Sequence, residues 1–285
     1  QIHDQPQPVI AAVHGGAVYA VCRTERRDAT VQRIEFGSST PQKICDLGRL
    51  SGDPLRVLAA ELDGRDGIEL AIAVPNDGLR IVTDLDGEGA RSFAPDAGFT
   101  KKMDDGALAL TTGENGPELL IAKELFVRRF RFDAAGETDV LAQDNGPPGI
   151  VAMNLVAAAA DGTQFLFDRK SDCLYRLPLD GPPSSVDVPS LGFTHLIALG
   201  GDAVLIGPRG VLRVPFGRGF ALRALRSHEP PTEDSAYYGG IAADLDGEGV
   251  RELAMLDDDL HGLQILVAKG DRLERALAFP MFEIQ

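Results

Sequence analysis

Tryptophan is absent from the 285-residue sequence, and tyrosine occurs only four times. Sugar-binding surfaces commonly stack Trp or Tyr on a sugar ring, so a lectin is disfavoured, although carbohydrate stays open as a ligand. Basic residues are scarce: 28 Lys and Arg stand against 43 Asp and Glu, a formal net charge of −15. Gripping a phosphate backbone requires a basic footprint. Nucleic acid is therefore excluded as a partner, and an anionic membrane surface with it. No apolar run reaches the length of about 18 residues that a membrane-spanning helix needs, so no direct membrane span is expected. The three cysteines, Cys22, Cys45 and Cys173, are far apart and form no C-x-x-C pair. That removes zinc ribbons and c-type haem attachment and leaves three buried thiols as the expectation. A Cys22–Cys45 bridge stays open for an oxidising compartment.

Catalytic signatures are missing too. His3, His14, His195, His228 and His261 form neither an H-E-x-x-H nor an H-x-H pattern, and the chain has no G-x-S-x-G elbow and no phosphate-binding loop. His195, His228 and Arg209 are the only groups offered for chemistry. Arg23, Arg26 and Arg27, and Arg128, Arg129 and Arg131, read as exposed strand faces or small basic patches. Asp257, Asp258 and Asp259 read as an exposed acidic rim. The chain begins at Gln1 rather than Met, which is expected of a processed, exported protein.

What the chain does have is repetition. VIAAVHGGAVYAVCR (9–23), VLAAELDGRDGIELAIAV (57–74), ALALTTGENGPELLIAKE (107–124), LVAAAADGTQFLFD (155–168), LIALGGDAVLIG (196–207) and IAADLDGEGVRELAML (241–256) share one plan. A small-residue apolar strand meets a Gly/Asp turn, then a larger apolar strand. A third strand follows, as in GLRIVTD (78–84), LFVRRFRFD (125–133), CLYRLPLD (173–180), GVLRVPF (210–216) and GLQILVAK (262–269). A more polar fourth stretch closes the unit: ETDVLAQ, SSVDVPS, FALRAL or RLERALAF. The spacing of roughly 40–50 residues matches one four-stranded propeller blade. No long helical period competes, and the 32 Gly and 18 Pro punctuate hairpins.

The expected fold is therefore all-β, a single β-propeller of six blades, at about 8–54, 55–99, 100–147, 148–193, 194–234 and 235–285, with seven as the alternative. Alanines recur in the first strands (Ala11, Ala12, Ala59, Ala60, Ala109, Ala157, Ala158, Ala198, Ala242 and Ala243). Small residues suit strands that crowd around a central axis. Residues 1–7 and 281–285 are expected to pair and close the ring.

Two turns carry candidate metal ligands. In DLDGEGVRE (244–252), Asp244, Asp246, Glu248 and Glu252 occupy positions one, three, five and nine, Gly249 the sixth and Val250 the seventh. Calcium needs six to eight oxygens at roughly 2.3–2.6 Å, which a short loop supplies by alternating ligands around a sharp turn. A Gly at the sixth position permits that turn. The flanks read as strands, and position twelve is Met255, so this is not an EF-hand. In ELDGRDGIE (61–69), Glu61, Asp63 and Glu69 hold positions one, three and nine, but Arg65 stands at the fifth, where it would pair with the acids in place of a metal. DLDGEGARS (84–92) repeats the hexapeptide after a third strand and reads as a polar hairpin turn.

On these residues the chain resembles the FG-GAP or VCBS-type repeats of β-propellers, including those of integrin α-subunits: strand, Asp-x-Asp/Asn-x-Asp-Gly-x-x-Asp, strand. The match is Asp244, Asp246, Glu248, Gly249 and Glu252, with Glu for Asp at positions five and nine. The resemblance implies structural calcium, a periplasmic or secreted location, and binding of proteins or polysaccharides. The expectation is a non-catalytic scaffold that docks protein partners, as an accessory subunit of a larger extracytoplasmic, membrane-associated complex. A polysaccharide lyase or hydrolase and a carbohydrate-binding propeller are the alternatives.

Overall fold

The computed structural model describes residues 7–38, 40–85, 89–95, 98–103, 107–114, 116–123, 125–133, 137–216, 226–228, 236–245, 247–257, 262–269 and 272–280. The described chain is all-β apart from one 3₁₀ turn, Gly98–Thr100. It forms six four-stranded antiparallel sheets, the blades of a six-bladed β-propeller. Blade 1 contains β1 (Gln7–His14), β2 (Ala17–Arg23), β3 (Asp28–Glu35) and β4 (Gln42–Arg49). Blade 2 contains β5 (Arg56–Ala60), β6 (Glu69–Val74), β7 (Gly78–Thr83) and β8 (Arg91–Phe93). Blade 3 is β9 (Leu108–Gly113), β10 (Gly116–Lys123), β11 (Phe126–Phe132) and β12 (Thr138–Asn145). Blade 4 is β13 (Leu155–Ala158), β14 (Gln164–Asp168), β15 (Cys173–Leu177) and β16 (Ser184–Asp187). Blade 5 is β17 (His195–Leu199), β18 (Asp202–Gly207), β19 (Gly210–Val214) and β20 (Arg226–His228). Blade 6 is β21 (Tyr237–Ala243), β22 (Glu252–Asp257), β23 (Gly262–Lys269) and β24 (Arg272–Pro280). The FALRAL stretch, 220–225, and both proposed ring-closing termini (1–6 and 281–285) lie outside the described residues.

The chain divides into two compact units: 1–121 with 127–144, and 122–126 with 145–285. In the first unit, β6 shows why its sequence is a continuous apolar run. Leu70, Ile72 and Val74 point into one core with Val21, Val31 and Leu47. Ala71 and Ala73, on the opposite face, enter a second core with Leu108, Leu119, Ile121 and Phe130. A strand covered on both faces cannot alternate apolar with polar. In the second unit β18 does the same: Ala203 and Leu205 join Phe165, Phe167 and Leu174, whereas Val204 and Ile206 join Tyr237, Leu253 and Met255.

The three thiols are unpaired and buried. The register rows Val21↔Val31↔Cys45 and Cys22↔Thr30 put Cys22 and Cys45 on opposite faces of blade 1, with β3 between their strands. Strands two apart lie about 10 Å from each other, beyond disulfide reach, so the Cys22–Cys45 bridge is ruled out. Burial, reinforced by Asp46, pushes the Cys45 thiol up to about 11, which makes it unreactive.

Candidate functional site

The turn from β5 to β6 is held by its own side chains. Glu69, the first residue of β6, is 3 % exposed, and its Oε2 accepts the Leu62 backbone N–H at 2.6 Å. Burial raises its carboxyl above the ordinary range, against the Leu62 hydrogen bond. Asp63 Oδ1 accepts the Arg65 N–H at 3.0 Å, and Oδ2 accepts Arg65 Nε at 2.8 Å and also Nη2. The Asp63 side chain is 3 % exposed, while half of Arg65 is open. Thus Arg65 occupies the carboxylate that a metal would take, and Glu61 stays exposed. These residues do not fit a bound cation, because a tethered one is already present.

The turn from β21 to β22 repeats part of this geometry. Glu252, buried at the start of β22, accepts the Leu245 N–H at 2.8 Å. Asp244 caps the loop, its Oδ1 accepting Gly247 N–H at 2.7 Å and its Oδ2 Gly249 N–H at 2.9 Å. Both glycines have positive φ, 79° and 82°, the left-handed geometry that aims successive N–H groups inward. Glu248 and Val250 are exposed, and Asp246 lies outside the described residues. The loop's one basic residue, Arg251, is exposed, and the carboxylate oxygens of Asp244, Glu248 and Glu252 are of the hard type that calcium takes. Among the described residues, no three His, Cys, Asp or Glu side chains gather as a metal-holding group. In the 84–92 hairpin joining β7 to β8, Asp84 is exposed with φ 55°, and 86–88 lie outside the described residues.

The structure redistributes the other expected groups. The Arg128 guanidinium sits 4.7 Å over the Phe99 ring, and its Nε donates to Gln143 Oε1 at 2.9 Å. Arg129 lies against Glu118, Arg131 against Asp139, and Arg23 against Asp53. Arg23, Arg129 and Arg131 are thus in separate ion pairs rather than a basic patch. Asp257 is not on an exposed rim: as the last residue of β22 it is buried, and Gln264 Nε2 donates to it at 3.2 Å. Asp258 and Asp259 lie outside the described residues, as do His3 and His261. His14 and Arg209 are exposed. His195 opens β17 with its Nδ1 3.0 Å from Thr194 Oγ1. Its Nε2 would stand 3.2 Å from a Cβ at position 239, so Gly239 makes room for the ring.

A recess was not foreseen from the sequence. In the first unit a cavity of about 300 Å³ opens between blades 2 and 3, walled by Asp63, Arg65, Glu69, Arg91, Phe93 and Phe132, with Asp133 at its edge. A second, about 290 Å³, shares Leu62, Asp63, Phe132 and Asp133 with it and extends to Arg131 and Asp139. The register pairs Ile81↔Phe93 and Thr83↔Arg91 place Phe93 and Arg91 on one face of β8. Phe132 meets Phe93 edge-on at 6.1 Å. The second unit has a larger recess, about 440 Å³, beside the 244–252 loop. It is lined largely by Ala and Gly, and its Arg213 is paired with Asp202 at 2.7 Å.

No family model matches the chain, and no curated protein matches it in sequence. Among solved structures, the chain is similar to a catalytically inactive His-to-Ala variant of virginiamycin B lyase from Staphylococcus aureus, crystallised with quinupristin. The TM-score is 0.63 at 12% identity, covering 99% of this chain and 86% of that one. It is also similar to a streptogramin B lyase, with a TM-score of 0.60 at 11% identity over 96% of this chain and 83% of the other. The likeness is one of fold.

Proposed function

We propose that the chain is a non-catalytic binding module that works outside the cytoplasm, in which the propeller is a rigid frame and the recess of the first unit is the contact site. The observation supporting this reading is the recess itself. Two adjoining cavities share Leu62, Asp63, Phe132 and Asp133, and the first sets the Phe93 and Phe132 rings against a mostly charged and polar lining, so apolar surface and convergent polar groups meet there as they do in ligand sites. The FG-GAP or VCBS-type resemblance of the 244–252 loop supports a calcium brace there, held by Asp244, Glu248 and Glu252 with Asp246. It also supports service as an accessory subunit of an extracytoplasmic complex. The test is a thermal-shift panel of amino acids, sugars, short peptides and aromatic acids on wild type and Thr83→Trp, which projects a large ring from the Arg91 face of blade 2 into the recess. A ligand that stabilises wild type and not the variant supports the reading. Stabilisation that survives in Thr83→Trp, or none across the panel, overturns it.

A second reading, a lyase, draws on the names of the two structural neighbours. Its candidate residue is His195, half-buried in a first strand beside Thr194. Chromatographic loss of quinupristin on incubation with the protein, abolished by His195→Ala, would favour it over the binding module.

A further inference from the structure

We propose that the recess of the first unit takes a monocarboxylic acid with an aromatic body, its carboxylate on Arg91 and its ring against Phe93 and Phe132. This deepens the reading of the recess as a binding site and rests on it. Arg91 and Phe93 share a face of β8, the outermost strand of blade 2. A ligand lying along that strand meets a guanidinium and a phenyl ring two residues apart. Phe132 backs the aromatic wall from blade 3, buried and edge-on to both Phe93 and Phe130, so the half-buried Phe93 offers most of the open ring surface to a ligand.

The charges narrow the ligand further. Of the two guanidinium groups lining the cavity of about 300 Å³, Arg65 is committed to Asp63. Arg91 is exposed and has no ion-pair partner among the described residues. A planar guanidinium with open donors reads a carboxylate bidentately. Asp63, Glu69 and Asp133 line the recess against two guanidinium groups, so the lining has no surplus of positive charge and a dianion gains less from it than a single charge held at one end. Phosphate esters are therefore disfavoured against monocarboxylates. The hydroxyl of Thr83, cross-strand from Arg91 on the same face, flanks the position and donates to a carboxylate as readily as it accepts. A cavity of about 300 Å³ is at the small end of ligand sites and suits one ring on a short chain. That chemistry has two sources: a free aromatic acid, or the C-terminal carboxylate of a peptide ending in an aromatic residue.

Calorimetric titration separates these outcomes, using phenylacetate, phenylacetamide, Gly-Phe and Gly-Phe amide against wild type, Arg91→Glu and Phe93→Ala, each checked for unchanged circular dichroism. Both acids should bind wild type at least about tenfold more tightly than their amides, the scale of one charge-assisted hydrogen bond. Arg91→Glu should abolish that preference, and Phe93→Ala should weaken acid and amide together. Phenylacetate binding more tightly than Gly-Phe identifies a free acid as the source, and the reverse order a peptide terminus. Equal binding of acid and amide, or indifference to Arg91→Glu with sensitivity to Phe93→Ala, overturns the carboxylate assignment while keeping the recess as a site. Absence of binding by all four probes overturns the ligand class, and the recess itself is then judged by Thr83→Trp in the wider panel.

Discussion

Single carboxylates in this chain do different work according to what surrounds them, and Asp168 and Glu69 show the two extremes. Burial by itself would raise the Asp168 carboxyl. However, backbone N–H groups of Val151 (2.6 Å), Ala152 (3.0 Å) and Lys170 (2.9 Å), with Ser171, hold it below the usual range. The charged form is thus favoured in the folded state. Its contribution is complete above the unfolded carboxyl's value of about 3.9 and fades as pH falls through the lower, folded value. Asp168→Asn should cost about 1–3 kcal/mol at pH 7, the penalty for stranded buried donors, and the gap to wild type in urea melts should shrink as pH drops toward 3. Glu69 runs the other way. Its carboxyl is raised by burial, so the protonated form stabilises the fold, fully below an unfolded value of about 4.3 and progressively less as pH rises through the folded value. Glu69→Gln keeps an oxygen for the Leu62 N–H, so it should equal or exceed wild-type stability at pH 7 and lose that advantage near pH 4. Arg65→Asp would remove the tethered cation and leave Glu61, Asp63 and the new acid around one turn. Calcium should then raise the variant's melting temperature through this loop, and terbium luminescence should appear there, whereas Arg65→Lys should gain neither.

At the level of elements, the blade plan was readable because strands and turns write themselves locally. The predicted third strands GLRIVTD, CLYRLPLD and GVLRVPF contain β7, β15 and β19, since β-branched and apolar runs bounded by Gly or Pro have few other options. The turn between β6 and β7 shows how strict that punctuation is. Gly78 has φ 88°, and a Cβ there would stand 2.4 Å from the Thr100 carbonyl oxygen. Gly78→Ala should therefore destabilise by about 1–3 kcal/mol from backbone strain alone, measurable by denaturant unfolding, with backbone overlap adding to it. Another device recurs: Glu69, Glu118, Gln164 and Glu252 are buried polar residues near the starts of second strands. They stand opposite Ala60, Thr111, Ala158 and Ala243. In sequence Glu69 and Glu252 look like ligands, because the pattern shows their spacing and not the Leu62 and Leu245 N–H groups that take up their oxygens. The recess was not legible for a related reason. Arg91, Phe93 and Phe132 belong to no motif, and only the packing of blade 2 on blade 3 brings them together.

For the molecule as a whole, charge separates a specific cation from a general one. A net charge of −15 repels itself in the compact state, so any salt should raise the melting temperature by screening. A calcium effect at the 244–252 loop must therefore be measured at constant ionic strength. With a Kd of about 1 mM, ordinary for extracellular modules, 10 mM calcium adds RT ln(1 + [L]/Kd), about 1.4 kcal/mol. For a protein of this size that corresponds to a rise of about 3–6 °C. Calcium should produce this rise over sodium chloride of equal ionic strength, and Asp244→Asn should remove it. Magnesium should fall short of calcium, because it demands a tighter octahedral shell than a glycine-rich loop supplies. If the rise is the same with sodium, Asp244 and Glu252 act only on their loop's own N–H groups, and the resemblance to calcium-bearing repeats is one of strand and turn rather than of metal chemistry. The aromatic-acid recess in the first unit shares no residue with that loop, so calcium should leave its affinity unchanged under either outcome.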